Sequence, residues 1–113
     1  MFVHNLLVLN RVIHLCKQNA YNESTIVIEQ CMRNITSFDE TMDEILFRST
    51  SHQHFTNCLK IYKTMMQSII SQLTMEQQIE RAICQTEIDK IDTKLRSVSS
   101  WKWRFYKCCC GCI

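Results

Sequence analysis

The last thirteen residues of the chain, WKWRFYKCCCGCI, bring thiols, basic groups and aromatic rings together. Three chemistries are open to the four thiols: disulfide formation, metal binding and attachment of a lipid. Consecutive Cα atoms lie about 3.8 Å apart, whereas a disulfide needs roughly 4.4–6.8 Å, so bonds between neighbouring cysteines would be strained. We therefore expect no stable disulfide framework among Cys108, Cys109, Cys110 and Cys112.

A zinc site would need more ligands than this segment offers. Cys109 and Cys112 form a C-x2-C pattern with Gly111 in its turn, which is half of a structural zinc site. The nearest approach to a second pair is His52-Gln53-His54, far away in sequence. We predict no metal and no cofactor, and keep a metal-binding or redox-sensing module as an alternative. The remaining thiols are predicted to lie on apolar helix faces as small hydrophobes: Cys16, Cys31, Cys58 and Cys84.

Lipid attachment uses every feature of the segment. Cysteines beside a basic, aromatic stretch are candidates for S-acylation, and several acylated thiols anchor a protein stably. Aromatic rings favour the membrane–water interface, and each Lys or Arg contributes about 1 kcal/mol near an anionic leaflet. We predict lipidation at Cys108, Cys109, Cys110 and Cys112, and a membrane-interface segment of Trp101, Lys102, Trp103, Arg104, Phe105, Tyr106 and Lys107. The C-a-a-X spacing of Cys110–Ile113 makes prenylation a minor route, because Gly111 is not aliphatic.

The rest of the chain is predicted to be all-α. It has no proline, and its single glycine is Gly111, whereas the tight turns of β-sheets depend on these residues. Hydrophobic residues make up 46% and charged residues 21%, which is ordinary for a folded protein. We predict a small helical bundle or helical hairpin with one long C-terminal helix. Residues 1–100 form the helical domain, and residues 101–113, hereafter the tail, are a flexible anchor.

Local signals divide the first half of this domain into helices. Apolar residues from Phe2 to Cys16 recur at helical spacing, Ser24 is placed to cap a second helix, and the capping-box pattern from Ser37 to Glu40 opens a short acidic one. The first twenty residues lack the basic region of a signal peptide, and no segment reaches the roughly 18 apolar residues of a membrane span.

The second half carries a heptad-like seam from His52 to Ser100. Its apolar residues alternate steps of three and four, as in a coiled coil. The register slips at Thr74, where either a new helix begins, capped by Thr74 with Gln77, or one helix continues with a stutter. Glu87 with Lys90, and Asp92 with Arg96, are predicted to be favourable pairs along the helix. The helix-interaction seam consists of Phe55, Leu59, Tyr62, Met66, Ile69, Leu73, Ile88, Ile91 and Leu95, together with Cys84 and Val98.

A heptad-like helix that runs into a cysteine cluster resembles the cysteine-anchored SNARE proteins, in which a coiled-coil motif precedes a palmitoylated stretch. The likeness covers the seam from Phe55 to Val98 and the tail cysteines, about half the chain. It implies a fusion component that assembles with partners into a four-helix bundle. The register slip at Thr74 departs from the unbroken heptads of that family.

Composition and missing motifs argue against catalysis and nucleic-acid binding. The net charge is only +2, and one glycine in the chain rules out glycine-rich phosphate loops and G-x-S-x-G. A solvated acidic face is expected for Asp39, Glu40, Asp43 and Glu44. We predict a non-enzymatic, lipid-anchored peripheral membrane protein on the cytosolic face of a membrane. It would bind anionic lipid and recruit a protein partner through its helical surface. Homo-oligomerisation is left open. The alternatives are the SNARE-like component and the metal or redox module.

Overall fold

Helices make up nearly all of the chain that the structure describes. The structure is a computed structural model and describes residues 2–18, 23–33, 40–99 and 102–103. Within these residues it contains no β-strand and five long helical segments: α1 Phe2–Gln18, α2 Glu23–Arg33, α3 Thr41–Arg48, α4 His52–Gln72 and α5 Gln78–Ser97. The predicted small all-α bundle is confirmed.

Helix α4 lies at the centre of the bundle. It contacts all four other helices, and α1 also packs against α2 and α5. The apolar face of α4 is therefore covered on several sides, as the spacing of its apolar residues requires. The core is built from one buried stripe of each helix: Val8, Leu9 and Val12 of α1; Ile28 of α2; Ile45 and Leu46 of α3; Phe55, Leu59, Met66 and Ile69 of α4; Ile88 and Ile91 of α5.

Helix starts follow local capping chemistry in part. Ser51 precedes α4, and its Oγ accepts a hydrogen bond of 3.0 Å from the backbone N–H of His54, a standard N-cap. The predicted cap Ser24 instead lies within the first turn of α2, which begins at Glu23. Helix α3 begins directly after Glu40, and the other residues of the predicted capping box, 37–39, lie outside the described residues.

The chain turns back between α4 and α5. The backbone N–H of Thr74 donates to Gln77 Oε1 at 3.0 Å, and the Gln77 N–H donates to the Thr74 carbonyl at 3.1 Å. Arg81 Nη2 donates to the carbonyl of Leu73, the last residue before the turn, at 2.9 Å. Of the two predicted alternatives at Thr74, the structure has the new helix, but the predicted Thr74 cap is wrong: the N-cap residue is Gln77, which makes no side-chain cap hydrogen bond.

Helices α4 and α5 form an antiparallel hairpin. Three contacts fix the register, because they join His52 to Val98, Tyr62 to Glu87 and Lys63 to Asp92. One end of the hairpin therefore holds the start of α4, the end of α5 and the α3–α4 link; we call it the tail-side end. The opposite end holds the turn of residues 73–77, and we call it the turn-side end.

Candidate membrane-anchoring site

The point where the tail leaves the bundle is held by α4. Val98 follows α5, is buried, and donates its backbone N–H to the Lys94 carbonyl at 3.0 Å. Its own carbonyl lies 3.0 Å from His52 Nε2. Because a carbonyl only accepts, this nitrogen of His52 carries the proton and donates it. The contact ties the residue that follows α5, three positions before the tail, to the first residue of α4.

The described part of the tail consists of Lys102 and Trp103. The Trp103 backbone N–H donates to the Ser99 carbonyl at 2.8 Å, and the Lys102 N–H donates to Ser99 Oγ at 3.3 Å. The Lys102 side chain is exposed, whereas the Trp103 side chain is half-buried and packs against the hydrophobic core. Of these two predicted interface residues, Lys102 faces solvent and Trp103 is bound to the bundle.

The remaining predicted anchor residues fall outside the described part of the chain. Their lipidation and interface roles stay predictions for Trp101, Arg104, Phe105, Tyr106, Lys107, Cys108, Cys109, Cys110 and Cys112.

The predicted interaction seam is packed inside the chain's own bundle. Leu95 is half-buried, and the other seam residues are buried: Phe55, Leu59, Tyr62, Met66, Ile69, Leu73, Ile88 and Ile91. These side chains hold α4 against α5 and against the N-terminal helices. A SNARE-like assembly through this seam would require α4 and α5 to separate and expose the core.

The thiols of the helical domain, hereafter the body, are buried and react slowly. Cys16, Cys31, Cys58 and Cys84 have 0% exposed surface. Burial raises the pKa of Cys16 and of Cys31 to about 12, and that of Cys84 to about 11. Because the thiolate is the reactive form, these groups react slowly at neutral pH. Their position agrees with the expectation of small core hydrophobes; the Cys16 thiol, for example, lies 3.6 Å from the sulfur of Met65.

This burial predicts a simple labelling pattern. A variant in which Cys108, Cys109, Cys110 and Cys112 are all changed to Ser keeps only the four body thiols. We expect it to take up no maleimide in minutes at pH 7, and four labels once unfolded in guanidinium, as read by intact mass. Rapid labelling of the native variant would show that the body thiols are accessible.

The two histidines of the His52-Gln53-His54 pattern are both engaged in the fold. His52 donates from Nε2 to Val98, and His54 Nδ1 accepts from the backbone N–H of Thr50 at 3.2 Å. The accepting nitrogen of His54 therefore has its lone pair occupied. Among the residues that the structure describes, no group of three or more His, Cys, Asp or Glu side chains is placed to hold a metal ion.

A buried carboxylate on α5 is the feature that sequence reasoning missed. Glu87 is 2% exposed, and its Oε1 accepts a hydrogen bond of 3.1 Å from the Tyr62 hydroxyl. The sequence analysis predicts a helical pair of Glu87 with Lys90 and does not foresee the burial of Glu87. The signal was present, because positions 84, 87, 88 and 91 share one face of a helix, and the other three are apolar.

Tyr62 and Asp92 both join α5 to α4. Burial, followed by the charge of Glu87, raises the pKa of the Tyr62 phenol well above its usual 10.0.

On the outer side of the α4–α5 hairpin, Lys63 Nζ lies 2.6 Å from Asp92 Oδ1 with both side chains about one-third exposed. Asp92, predicted to pair with Arg96 on its own helix, thus bridges to the neighbouring helix. Partly exposed pairs of this kind add only about 0.2–1 kcal/mol.

No described helix has the length and hydropathy that crossing a membrane requires. No protein-family model matches the chain, and no curated protein or solved structure shows significant similarity to it.

Proposed function

We propose that the protein is a non-enzymatic, lipid-anchored peripheral membrane protein that acts as a helical adaptor or tether on the cytosolic face of a membrane. The observation that carries the proposal is the tail, in which four cysteines directly follow a stretch of four aromatic and three basic residues. Such thiols accept acyl chains, and the flanking rings and charges favour the interface of an anionic bilayer. The acylated residues would be Cys108, Cys109, Cys110 and Cys112.

Features of the body support a protein whose tail binds the membrane and whose helical surface binds a partner. The body's own four thiols are buried, and burial raises the pKa of Cys16, Cys31 and Cys84, so the tail is the natural place for thiol chemistry. Its seam is occupied internally, so a partner protein would contact other surfaces. Large apolar side chains at the turn-side end are available for this, with Met75 82% and Ile79 52% exposed. The proposed mechanism is recruitment of a partner to a membrane, without chemistry.

The test is acyl exchange on protein expressed in eukaryotic cells. Hydroxylamine cleaves thioesters, and each freed thiol is then tagged with a polymer of known mass. We expect up to four hydroxylamine-dependent shifts and a membrane-bound protein. The variant with Ser at positions 108, 109, 110 and 112 should show no shift and move to the soluble fraction, because a single acyl chain or none anchors weakly.

Two outcomes would contradict the proposal. The first is a wild-type protein that shows no shift and stays soluble. The second is a shift that persists in the four-Ser variant, which would place the thioester in the body. In the first case, stoichiometric zinc in the purified protein would favour the C-x2-C alternative in the tail.

A further inference from the structure

The tail-side end of the bundle carries a concentration of positive charge. Lys94 and Arg96 lie in the last turn of α5, and Lys102 follows on the described part of the tail. Arg96 and Lys102 are exposed, and Lys94 is half-buried. Of the carboxylates nearest to this end, Glu44 pairs with Arg48 at 3.0 Å and Asp92 with Lys63 at 2.6 Å, whereas the exposed Asp43 and Asp89 lie about one helical turn farther from it. The described residues after Asp92 carry three charged side chains, and all three are basic: Lys94, Arg96 and Lys102.

The turn-side end has a different character. Glu80 lies in the first turn of α5, Glu76 lies in the turn before this helix, and Arg81 Nη2 donates to the Leu73 carbonyl. The charge along the α4–α5 hairpin is thus polarised, with acidic groups where α5 begins and basic groups where the tail leaves. Acidic groups at the start of α5 and basic groups at its end suit the dipole of this helix, and they also give the hairpin one end that an anionic surface attracts.

An exposed aromatic ring lies at the same end of the bundle as the basic groups. Phe47 is 56% exposed in the last turn of α3, two residues before the link that leads to α4. His52, the first residue of α4, contacts Val98 at the end of α5. Met42 of α3 lines the same groove as Lys94 and Ser97, so α3 runs beside the C-terminal part of α5. The fold therefore brings Phe47 to the end that holds Lys94, Arg96 and Lys102.

We propose that this tail-side end, formed by Phe47, Lys94, Arg96 and Lys102, is itself a contact surface for an anionic lipid bilayer and seats the helical body on the membrane. The inference rests on the proposed function, because the tail delivers this end to the bilayer. Basic side chains near a leaflet meet the negative surface potential, and an exposed phenylalanine inserts at the boundary of the headgroups. The turn-side end, with Met75 and Ile79, would then point away from the membrane toward a partner.

The test measures binding of the unacylated full chain to vesicles, so that it is independent of lipidation. Protein from bacteria is sedimented at about 0.15 M salt with phosphatidylcholine vesicles, with or without about one third phosphatidylserine. Lys94→Glu with Arg96→Glu is compared with Arg11→Glu with Lys17→Glu. The control pair also reverses one Arg and one Lys, both exposed on α1, where Arg11 lies near Cys84 in the half of α5 that begins at the turn.

We expect wild type to bind vesicles that contain phosphatidylserine, and the Lys94/Arg96 variant to bind them at least about tenfold more weakly. The Arg11/Lys17 variant should lose less than about threefold, because its changes lie away from the surface. Phe47→Ser should weaken binding about fivefold, whereas Ile79→Ser, at a side chain of similar exposure, should have little effect.

Equal losses for the two charge variants, or wild-type binding by the Lys94/Arg96 variant, would overturn the inference. If the Glu substitutions lower the melting temperature, Lys94→Gln with Arg96→Gln removes the charges more gently and serves for the same comparison. The acyl-exchange result stands apart from this test. If the protein is acylated but the two charge variants lose vesicle binding equally, the tail anchor stands and the membrane contact of the bundle is refuted. If the expected vesicle binding is found without acylation, the membrane contact stands and the acylated tail is refuted.

Discussion

Raising the pH from 9 to 11 is expected to lower the free energy of unfolding by a large share of the protein's total stability. The buried thiols of Cys16, Cys31 and Cys84 have pKa values of about 12, 12 and 11, against 9.0 for an ordinary cysteine. Between these limits the unfolded chain has lost the thiol protons and the folded chain keeps them. The unfolded state then binds fewer protons, so the free energy of unfolding falls as the pH rises.

The size of the effect follows from the number of groups. Each such thiol lowers the free energy of unfolding by at most about 1.4 kcal/mol per pH unit above its unfolded pKa. Tyr62 acts in the same direction above pH 10, because its pKa is also raised. A domain of this size has a total stability of only about 5–15 kcal/mol. Below pH 9 these groups are protonated in both states, and their contribution is fully present.

The measurement is guanidinium unfolding followed by circular dichroism at several pH values from 7 to 11, under reducing conditions. Cys84→Ala removes one titrating group and should flatten the alkaline decline relative to its own stability at pH 7. The variant with Ser at the four tail cysteines should follow the wild-type profile. A free energy of unfolding that stays constant to pH 10.5 would show that the core thiols do not resist ionisation.

Replacing Tyr62 by Ala should lower the free energy of unfolding by about 3–5 kcal/mol. Tyr62 is fully buried in the middle of α4, where it contacts the core and donates to Glu87 across the α4–α5 interface. Truncation leaves a cavity and also removes this donor from a buried carboxylate. The loss is a large share of the stability of a small domain, so the variant should be partly unfolded at 37 °C.

Two further variants separate packing from hydrogen bonding. Tyr62→Phe keeps the ring and removes the hydroxyl, which should cost about 1–3 kcal/mol because Glu87 stays buried without this donor. Adding Glu87→Met to Tyr62→Phe removes both polar partners and should recover much of that loss. With Glu87→Met alone added, chemical denaturation of wild type, the two single variants and the double variant gives the coupling energy of the pair. If Tyr62→Phe is as stable as wild type, the hydrogen bond contributes nothing.

The burial of Glu87 illustrates the limit of periodicity as a guide. Sequence spacing put position 87 on the same helix face as Cys84, Ile88 and Ile91, yet its charge argued for solvent. The Tyr62 hydroxyl decides in favour of burial, and it comes from a residue 25 positions away. A buried carboxylate is tolerable only with such a partner. The partner exists only once α5 has folded back on α4.

The same distinction applies to the seam and its break. The spacing of apolar residues from Phe55 to Leu73 and from Cys84 to Val98 determined two buried helix faces, and Thr74 with Gln77 marked the place of the turn. Spacing alone permits such faces to pair within one chain or between chains. The antiparallel return, held by His52 with Val98 and Lys63 with Asp92, settles the pairing within the chain.

The sequence by itself therefore determined what depends on neighbours a few residues apart: the all-α class, the apolar stripe of each helix and the break near Thr74. The tertiary structure decided what depends on residues distant in the chain. It paired Tyr62 with Glu87, enclosed the body thiols, and brought Phe47 to the end where Lys94 and Arg96 lie. Helical periodicity and turns are local properties of the backbone, whereas the partner of a side chain is set by how whole helices pack.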